Sequence, residues 1–252
     1  MSTPRSEEET QVFGVHAVSE LLLTEPKRIR HLMIVPSSSH KALRRLAHLA
    51  KEAGVMLRRT PRRQLDRHAP EKVHQGVIAI VDPLRYLELH ELLARLASLS
   101  SPLLVLLDEV EDPHNLGAII RSAHALGAHG LIIPTRRAAQ VSGTVAKAAA
   151  GALAHLPIAR VTNLATTIAA LNDAGYRTIA TVTDAGSLPW ELDLSSGPLA
   201  IVVGGEHKGV RRLVKERCGY RLSIPLAERS QSLNASVAAA LALYEVMRAR
   251  ST

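Results

Sequence analysis

Residues 103–134 carry the sequence LLVLLDEVEDPHNLGAIIRSAHALGAHGLIIP, and this stretch decides the fold. The apolar runs 103–107 and 131–133 are typical of buried strands. Between them, apolar residues recur with the 3.6-residue period of a helix: Leu116, Ile119, Ile120, Ala123 and Leu126. We place the N-cap of this helix at Asn115 and its end at Gly127. The stretch therefore predicts one strand–helix–strand unit of a parallel sheet.

The polar face of the predicted helix carries His114, Gly117, Arg121 and His124. Their spacing of three to seven residues superposes them on one side of the helix. A glycine there lets another molecule approach the backbone closely, and Arg121 adds a positive charge one turn further along. This face therefore predicts a functional site.

The composition predicts a cytoplasmic globular protein. Its 252 residues suffice for two small domains or one large one, and 46% of them are hydrophobic. The single cysteine, Cys218, excludes a disulfide framework and a cysteine-based zinc site, and the histidines lie in no metal-binding motif, so we expect no metal. The polar N-terminus resembles no signal peptide, and no apolar stretch is long enough to span a membrane.

Positive charge is concentrated in one part of the chain. The net charge is +8, and the segment from Lys27 to Lys72 holds thirteen Lys and Arg against three Asp and Glu. Such a segment is typical of a module that binds a polyanion, although a solvated basic surface is the alternative. Aromatic residues make up only 2% of the chain, so phosphate contacts rather than base stacking would dominate.

The order of predicted elements indicates two α/β domains. Residues 1–10 read as a disordered tail and 11–82 as a small basic α/β/α domain. Residues 83–101 contain a short helix and read as a linker. Residues 102–252 alternate continuous apolar strands with helices, which predicts a mostly parallel sheet covered on both faces.

Three loops stand out, each between an apolar strand and a helix: 112–121, 204–212 and 224–236. The carboxyl ends of parallel strands meet at one edge of a sheet, where ligands bind. None of the loops carries the glycine-rich fingerprint of dinucleotide or P-loop proteins, which disfavours a nucleotide-dependent metabolic enzyme. Taken singly, Asn115 and Ser232 could be helix caps and Glu206 a turn residue.

Taken together, the three loops resemble the SpoU/TrmH family of RNA ribose 2′-O-methyltransferases. The matching motifs are Asn115-x-Gly117-x-x-x-Arg121, Gly204-x-Glu206-x-x-Gly209, and Ile224-Pro225 followed by Ser232-Leu233-Asn234. The likeness covers essentially all of 100–249. The small basic domain is similar to the substrate-binding domain of the ribosomal branch of this family, which methylates a guanosine of 23S rRNA.

The resemblance implies a fold and a cofactor. The fold is a SPOUT domain, an α/β parallel sheet whose C-terminal segment forms a trefoil knot, preceded by a small L30e/L7Ae-like domain. The cofactor is S-adenosylmethionine, held by backbone groups at Gly204, Ile224 and Leu233. The family also implies a homodimer built by the helices near the knot, with each active site drawing on both subunits.

The resemblance further assigns roles to side chains. Arg121, acting with an RNA phosphate, would orient the ribose 2′-hydroxyl and assist its deprotonation, and Asn115 would support Arg121 or the ribose. Glu206, Ser232 and Asn234 would position the nucleotide and the arginine. Four arginines of the basic domain would hold RNA phosphates: Arg58, Arg59, Arg62 and Arg63.

Three residues depart from the family pattern. His207 stands where glycine is frequent, and Glu228 and Arg229 stand in a loop where small residues are frequent, which leaves the target base open. Two alternatives also stay open. One is the same reaction at another site, in tRNA or at an rRNA site modified by antibiotic-resistance enzymes. The other is an RNA-binding or ribosome-assembly factor without catalysis, which the intact motif residues disfavour.

Overall fold

The computed structural model describes residues 10–36, 40–69, 73–82, 85–183, 186–206, 208–227 and 232–251. All of the predicted disordered tail except Thr10 lies outside these ranges. The described residues form two compact units. The small unit comprises the chain up to Arg85 together with 141–154, and the large unit comprises 86–140 and the chain from His155 onward.

The small unit contains four strands and three helices in its N-terminal part. They are β1 (Thr10–Phe13), α1 (Val15–Thr24), β2 (Ile29–Ile34), α2 (Lys41–Glu52), β3 (Leu57–Arg59), α3 (Arg62–His68) and β4 (Val77–Val81). The strand order is β1-β4-β2-β3, with β2 and β3 parallel and the other pairs antiparallel. The sequence did not predict β1, because four residues are too few to show a period.

Helices cover both faces of this sheet, as the predicted α/β/α arrangement requires. Strand β4 shows this directly, since successive side chains of a strand point to opposite faces. Its residues 77, 79 and 81 lie in the core with α1 and α2, whereas 78 and 80 lie in a second core with Leu65 of α3. Helices α2 and α3 therefore present their exposed faces on opposite sides of the small unit.

The remaining elements follow in chain order. They are α4 (Leu89–Leu96), β5 (Leu103–Asp108), α5 (Pro113–Ala125), β6 (Gly130–Pro134), α6 (Gly143–Ala149), β7 (Ile158–Val161), α7 (Leu164–Asp173), β8 (Arg177–Val182), β9 (Leu199–Gly204), α8 (Arg212–Arg217), β10 (Tyr220–Ser223) and α9 (Ala235–Arg250). All except α6 belong to the large unit.

Six parallel strands form the sheet of the large unit, in the order β10-β8-β9-β5-β6-β7. Helices α4, α7 and α8 supply residues to a core on one face, and α5 and α9 pack together, with α9 also against β9. Every residue of β5 and β9 is buried, as expected for the central strands of a parallel sheet covered on both faces. This confirms the predicted α/β class. From the edge strand β10 the chain returns to α9 through 224–234, the segment that the resemblance assigns to the knot.

The two units divide the chain differently from the predicted boundaries. Part of the predicted linker, 86–101, belongs to the large unit, because Leu87, Leu92 and Leu96 are buried in its core. Residues 141–154, predicted within the C-terminal domain, belong to the small unit, where α6 packs against β1. Sequence periodicity identifies buried residues but not the core that buries them.

Two helices start at different residues from those predicted. Asp112 caps α5, accepting a hydrogen bond from the backbone nitrogen of His114 at 2.9 Å, and Pro113 takes the first helical position that suits proline. Asn115 is therefore not the cap and lies within the first turn. Asn234 caps α9, accepting from the backbone nitrogen of Ser236 at 2.9 Å, so Ser232 is not the cap there.

No helix of the described part of the chain is long and apolar enough to cross a membrane.

The single cysteine, Cys218, follows α8 and packs against the core of the large unit. Burial raises the pKa of its thiol to about 12. Because the thiolate is the reactive form, we predict that native protein at pH 8 reacts with an aromatic disulfide reagent much more slowly than urea-unfolded protein. Unfolded protein should release one equivalent of chromophore per chain. Fast labelling of the native protein would contradict the burial of this thiol.

Candidate active site

The three loops singled out in the sequence meet at the carboxyl edge of the large sheet. Strands β5 and β9 are neighbours, so the loops that follow them lie side by side. The first turn of α5 carries Asn115, the loop after β9 carries Glu206, and Asn234 begins α9. The structure therefore brings together residues that are as much as 119 positions apart in the chain.

Asn115, Glu206 and Asn234 form a hydrogen-bonded trio. Glu206 Oε1 accepts from Asn115 Nδ2 at 2.5 Å and from Asn234 Nδ2 at 2.6 Å. Asn234 Nδ2 also lies 3.1 Å from Asn115 Oδ1, and Asn115 is only 7% exposed. Glu206 Oε2 makes no hydrogen bond to the described residues. The two amides thus fix the carboxylate and leave one of its oxygens available to a ligand.

A cleft of about 350 Å³, here called the first cleft, lies at the ends of β8 and β9. Residues 204–206 and 208–210 of the loop after β9, together with Ile224, Leu226 and the start of α9, complete its wall. The three residues assigned to the cofactor all line it: Gly204, Ile224 and Leu233. Its size falls within the range of small-molecule sites.

The residues of the first cleft fit S-adenosylmethionine. Neither Ile224 nor Leu233 makes a backbone–backbone hydrogen bond to another residue that the structure describes, so their N–H and C=O groups can serve a ligand. Their side chains, with Val182 and Leu226, offer apolar contacts for a nucleoside. A Cβ on Gly204 would lie 2.0 Å from the carbonyl carbon of Gly209, so the loop closes this tightly only around glycine.

A second cleft of about 300 Å³ adjoins the first. Its wall is formed by 109–112, Asn115, Ala235 and four residues of the loop after β9, namely 205, 206, 208 and 209. Glu206 lines both clefts, and Asn115 lines the second one. Glu206 therefore stands where a ligand in one cleft would meet a ligand in the other.

The two remaining predicted catalytic residues, Ser232 and Arg121, lie outside the trio. Ser232 lines the first cleft. Arg121 lies nearly two turns beyond Asn115 on α5, with its side chain exposed, and it lines neither cleft. Its side chain makes no hydrogen bond or ion pair to the residues that the structure describes. The structure of one chain thus does not bring Arg121 to the trio.

An ion pair that the sequence did not reveal lies beside the site. The carboxylate of Asp108, at the end of β5, is 0% exposed and accepts hydrogen bonds from the backbone and side chain of Arg211. Burial raises the pKa of Asp108, and the hydrogen bonds and charge of Arg211 act to lower it. A signal existed, namely an acidic residue directly after five apolar ones, but its partner lies 103 positions away.

The four arginines assigned to RNA lie on the small unit. Arg58 and Arg59 end β3, Arg62 and Arg63 begin α3, and all four side chains are exposed. None of the four forms an ion pair with an acidic residue that the structure describes. The departures from the family pattern, His207, Glu228 and Arg229, lie outside the described residues.

No group of three or more His, Cys, Asp or Glu that could hold a metal ion occurs among the residues described.

Comparison with known proteins identifies relatives along the whole chain. Residues 102–244 match the SpoU rRNA Methylase family, and residues 11–87 match the RNA 2′-O ribose methyltransferase substrate binding domain. The chain is 41% identical to the putative TrmH family tRNA/rRNA methyltransferase YacO of Bacillus subtilis, over 98% of each chain. It is 40% identical to the 23S rRNA (guanosine-2′-O-)-methyltransferase RlmB of Escherichia coli K12, over 95% of this chain and 98% of RlmB.

Solved structures agree with these sequence relatives. The SpoU methyltransferase AviRb from Streptomyces viridochromogenes, solved in complex with S-adenosylmethionine, superposes with a TM-score of 0.77 at 30% identity. The alignment covers 96% of this chain and 90% of AviRb. The sheet, the three loop motifs and these relatives together show that the chain belongs to the SpoU family of S-adenosylmethionine-dependent RNA 2′-O-ribose methyltransferases.

Proposed function

We propose that this protein methylates the ribose 2′-hydroxyl of a guanosine in 23S rRNA. The observation that carries the proposal is the Asn115–Glu206–Asn234 trio, whose Glu206 lines two adjoining clefts, on a chain similar to RlmB throughout its length. S-adenosylmethionine, when bound, supplies a methyl group on a positively charged sulfur, which is a strong electrophile. The protein must then align a weak nucleophile with it.

Asn115, Glu206 and Asn234 perform the alignment. The amides hold Glu206 Oε1, and Glu206 Oε2 accepts a hydrogen bond from the target nucleotide in the second cleft. Ser232 adds a hydroxyl on the cofactor side. Because the carboxylate is fixed before the nucleotide binds, little orientational freedom is lost in the reaction.

Arg121 acts on the hydroxyl group. Its guanidinium is always charged, so it works electrostatically, orienting the 2′-hydroxyl together with an RNA phosphate and stabilising negative charge on the oxygen as the hydroxyl proton passes to solvent water. Arg121 lines neither cleft of its own chain. We therefore place it in the active site of the partner subunit.

A homodimer in the cytoplasm is the form that we propose. Helix α9 exposes an apolar stripe with helical spacing, formed by Val237, Leu241, Tyr244 and Met247, each at least 40% exposed. Burial of such a stripe against a second copy removes it from water. Helix α5, which carries Arg121, packs directly against α9, so the same contact would place Arg121 near the partner.

The basic surface of the small unit is proposed to hold rRNA. We predict that reversing Arg58, Arg59, Arg62 and Arg63 to glutamate weakens rRNA binding at least tenfold and lowers its log–log salt slope by about three, since each lost phosphate contact removes roughly 0.7 to 0.9. Filter binding over a range of salt concentrations measures both. Affinity for S-adenosylmethionine should stay unchanged.

Helix α2 offers a control with the same change of charge. Lys41, Arg44, Arg45 and Lys51 are exposed on this helix, which lies across the small sheet from α3 and its Arg62 and Arg63. Reversing these four should affect rRNA binding much less. Equal effects of the two quadruple variants would show a response to net charge alone, and no effect of either would show that the basic segment is only a solvated surface.

Transfer of labelled methyl from S-adenosylmethionine to unmodified 23S rRNA and to tRNA tests the proposed function. Because 2′-O-methylation blocks alkaline cleavage, one resistant guanosine in 23S rRNA is the expected result. Label on tRNA, or at another rRNA nucleotide, would assign the same reaction to a different substrate. Cofactor binding without transfer to rRNA, tRNA or ribosomal precursor particles would instead indicate a catalytically silent assembly factor.

A further inference from the structure

Both carboxylate oxygens of Asp108 accept hydrogen bonds from one residue, Arg211. Oδ1 accepts from Nε of Arg211 at 2.7 Å and forms an ion pair with its Nη2 at 2.7 Å, and Oδ2 accepts from the backbone nitrogen of Arg211 at 2.8 Å. A fully buried carboxylate is costly unless it is paired and hydrogen-bonded in this way. The side chain lines neither cleft, so the mechanism above does not use it.

Asp108 and Arg211 hold the loop 205–210 at both ends. At its start, the backbone nitrogen of Gly205 donates to the carbonyl of Asp108 at 2.8 Å. At its end, the Asp108 carboxylate binds Arg211, which precedes α8. Within the loop, the backbone nitrogen of Gly209 donates to Gly205 at 2.9 Å. One residue of β5 thus closes the loop that carries Glu206 and lines both clefts.

The neighbouring backbone supports the same loop. Glu109 has φ +58° and Arg137 has φ +54°, and their side chains form an ion pair at 3.0 Å. The carbonyl oxygen of Glu109 would lie 2.2 Å from a Cβ on Gly205, so it packs directly against the loop. Left-handed conformations at non-glycine residues persist only where surrounding contacts impose them. Such conformations beside the site indicate that the backbone is held there in the geometry that positions this loop.

We infer that Asp108 is a positioning residue for the cofactor: through Arg211 it fixes the loop 205–210 in the conformation that binds S-adenosylmethionine and aims Glu206 at the nucleotide. The inference rests on the proposed function, because it concerns the same site. It adds a residue that touches neither cofactor nor RNA.

The test compares two variants with the same chemical change. In Asp108→Asn, either orientation of the amide turns a donor toward a donor of Arg211, so the loop loses one of its attachments. Asp193→Asn is the control, since Asp193 also pairs with an arginine, Arg177 at 2.8 Å, on the exposed surface of the same unit. Calorimetry with S-adenosylmethionine alone, well below the unfolding temperature, should show at least tenfold weaker binding for Asp108→Asn and wild-type binding for Asp193→Asn.

Further variants show whether Asp108 acts through Arg211. Arg211→Lys keeps the charge but not the two-nitrogen contact, and it should weaken cofactor binding in the same direction while the protein stays folded. Asp108→Asn combined with Arg211→Lys should be little weaker than either single variant, as for residues that act as a pair.

Three outcomes separate the possible failures. Folded Asp108→Asn with wild-type cofactor affinity and a lower melting temperature would overturn the inference, since the role would then be structural only. If Asp108→Asn does not fold, wild-type cofactor affinity in Arg211→Lys would overturn it equally. Failure of the wild-type protein to bind S-adenosylmethionine would overturn the proposed function itself.

Discussion

Replacing Arg121 by alanine is expected to lower methyl transfer to rRNA about a thousandfold and to leave the affinity for S-adenosylmethionine within a factor of about two. The reason is the position of this side chain. It lines neither cleft and touches no acidic group among the described residues, so its removal disturbs no cofactor contact. Its charge is needed only where negative charge develops on the 2′-oxygen. Single-turnover transfer and calorimetry measure the two quantities separately.

Arg212→Ala is a matched control. Arg212 is likewise an exposed helical arginine of the large unit, and among the residues that the structure describes it pairs only with Glu216, one turn away at 3.2 Å. Exposed pairs of this kind contribute little, so this variant should retain wild-type transfer. Arg121→Lys should stay strongly impaired, because lysine lacks the planar fork that binds a phosphate and a hydroxyl together. A fully active Arg121→Ala protein would refute the assigned role.

A mixing experiment tests where Arg121 acts. If each site combines Arg121 of one subunit with Glu206 of the other, a dimer of Arg121→Ala and Glu206→Ala chains retains one intact site. Random exchange of equal amounts should then restore about a quarter of wild-type activity. If both residues serve the same chain, every site lacks one of them and no activity returns.

The fold was largely predictable because local patterns and tertiary structure agree. The apolar runs 103–107 and 131–133, predicted as buried strands, lie within β5 and β6. Errors arose where the deciding contact is distant. Residues 86–101 and 141–154 join cores whose other residues are far away in the chain, and no period reveals which core a helix joins.

The candidate site was predicted through motif resemblance and not through physical pattern alone. Read singly, Asn115 looks like a helix cap, and the Asp–Pro pair at 112–113 is in fact the stronger start signal. In the structure, the side-chain amide of Asn115 instead donates a hydrogen bond to Glu206. The partnership of Asp108 with Arg211 could not be predicted, since no local rule links an acidic strand end to an arginine 103 residues later.

Gly204→Ala is expected to weaken binding of S-adenosylmethionine by about a hundredfold or more. A Cβ at this position would lie 2.0 Å from the carbonyl carbon of Gly209 and 2.2 Å from the nitrogen of Val210. Both are backbone atoms, so no side-chain rotation relieves the overlap. The loop must move away from β9, which opens the first cleft and displaces Glu206 from Asn115 and Asn234. Calorimetry with the cofactor measures the loss, and thermal unfolding reports the accompanying destabilisation.

Gly219→Ala provides the comparison within the same unit. The nearest atom to a Cβ at Gly219 is the carbonyl oxygen of Thr178 at 3.8 Å, an ordinary contact, so this variant should bind cofactor and transfer methyl as the wild type does. The contrast isolates the close approach from the general effect of replacing a glycine. Wild-type cofactor affinity in Gly204→Ala would mean that the loop has a second conformation able to bind S-adenosylmethionine. The fixed loop, and with it the positioning role of Asp108, would then be wrong.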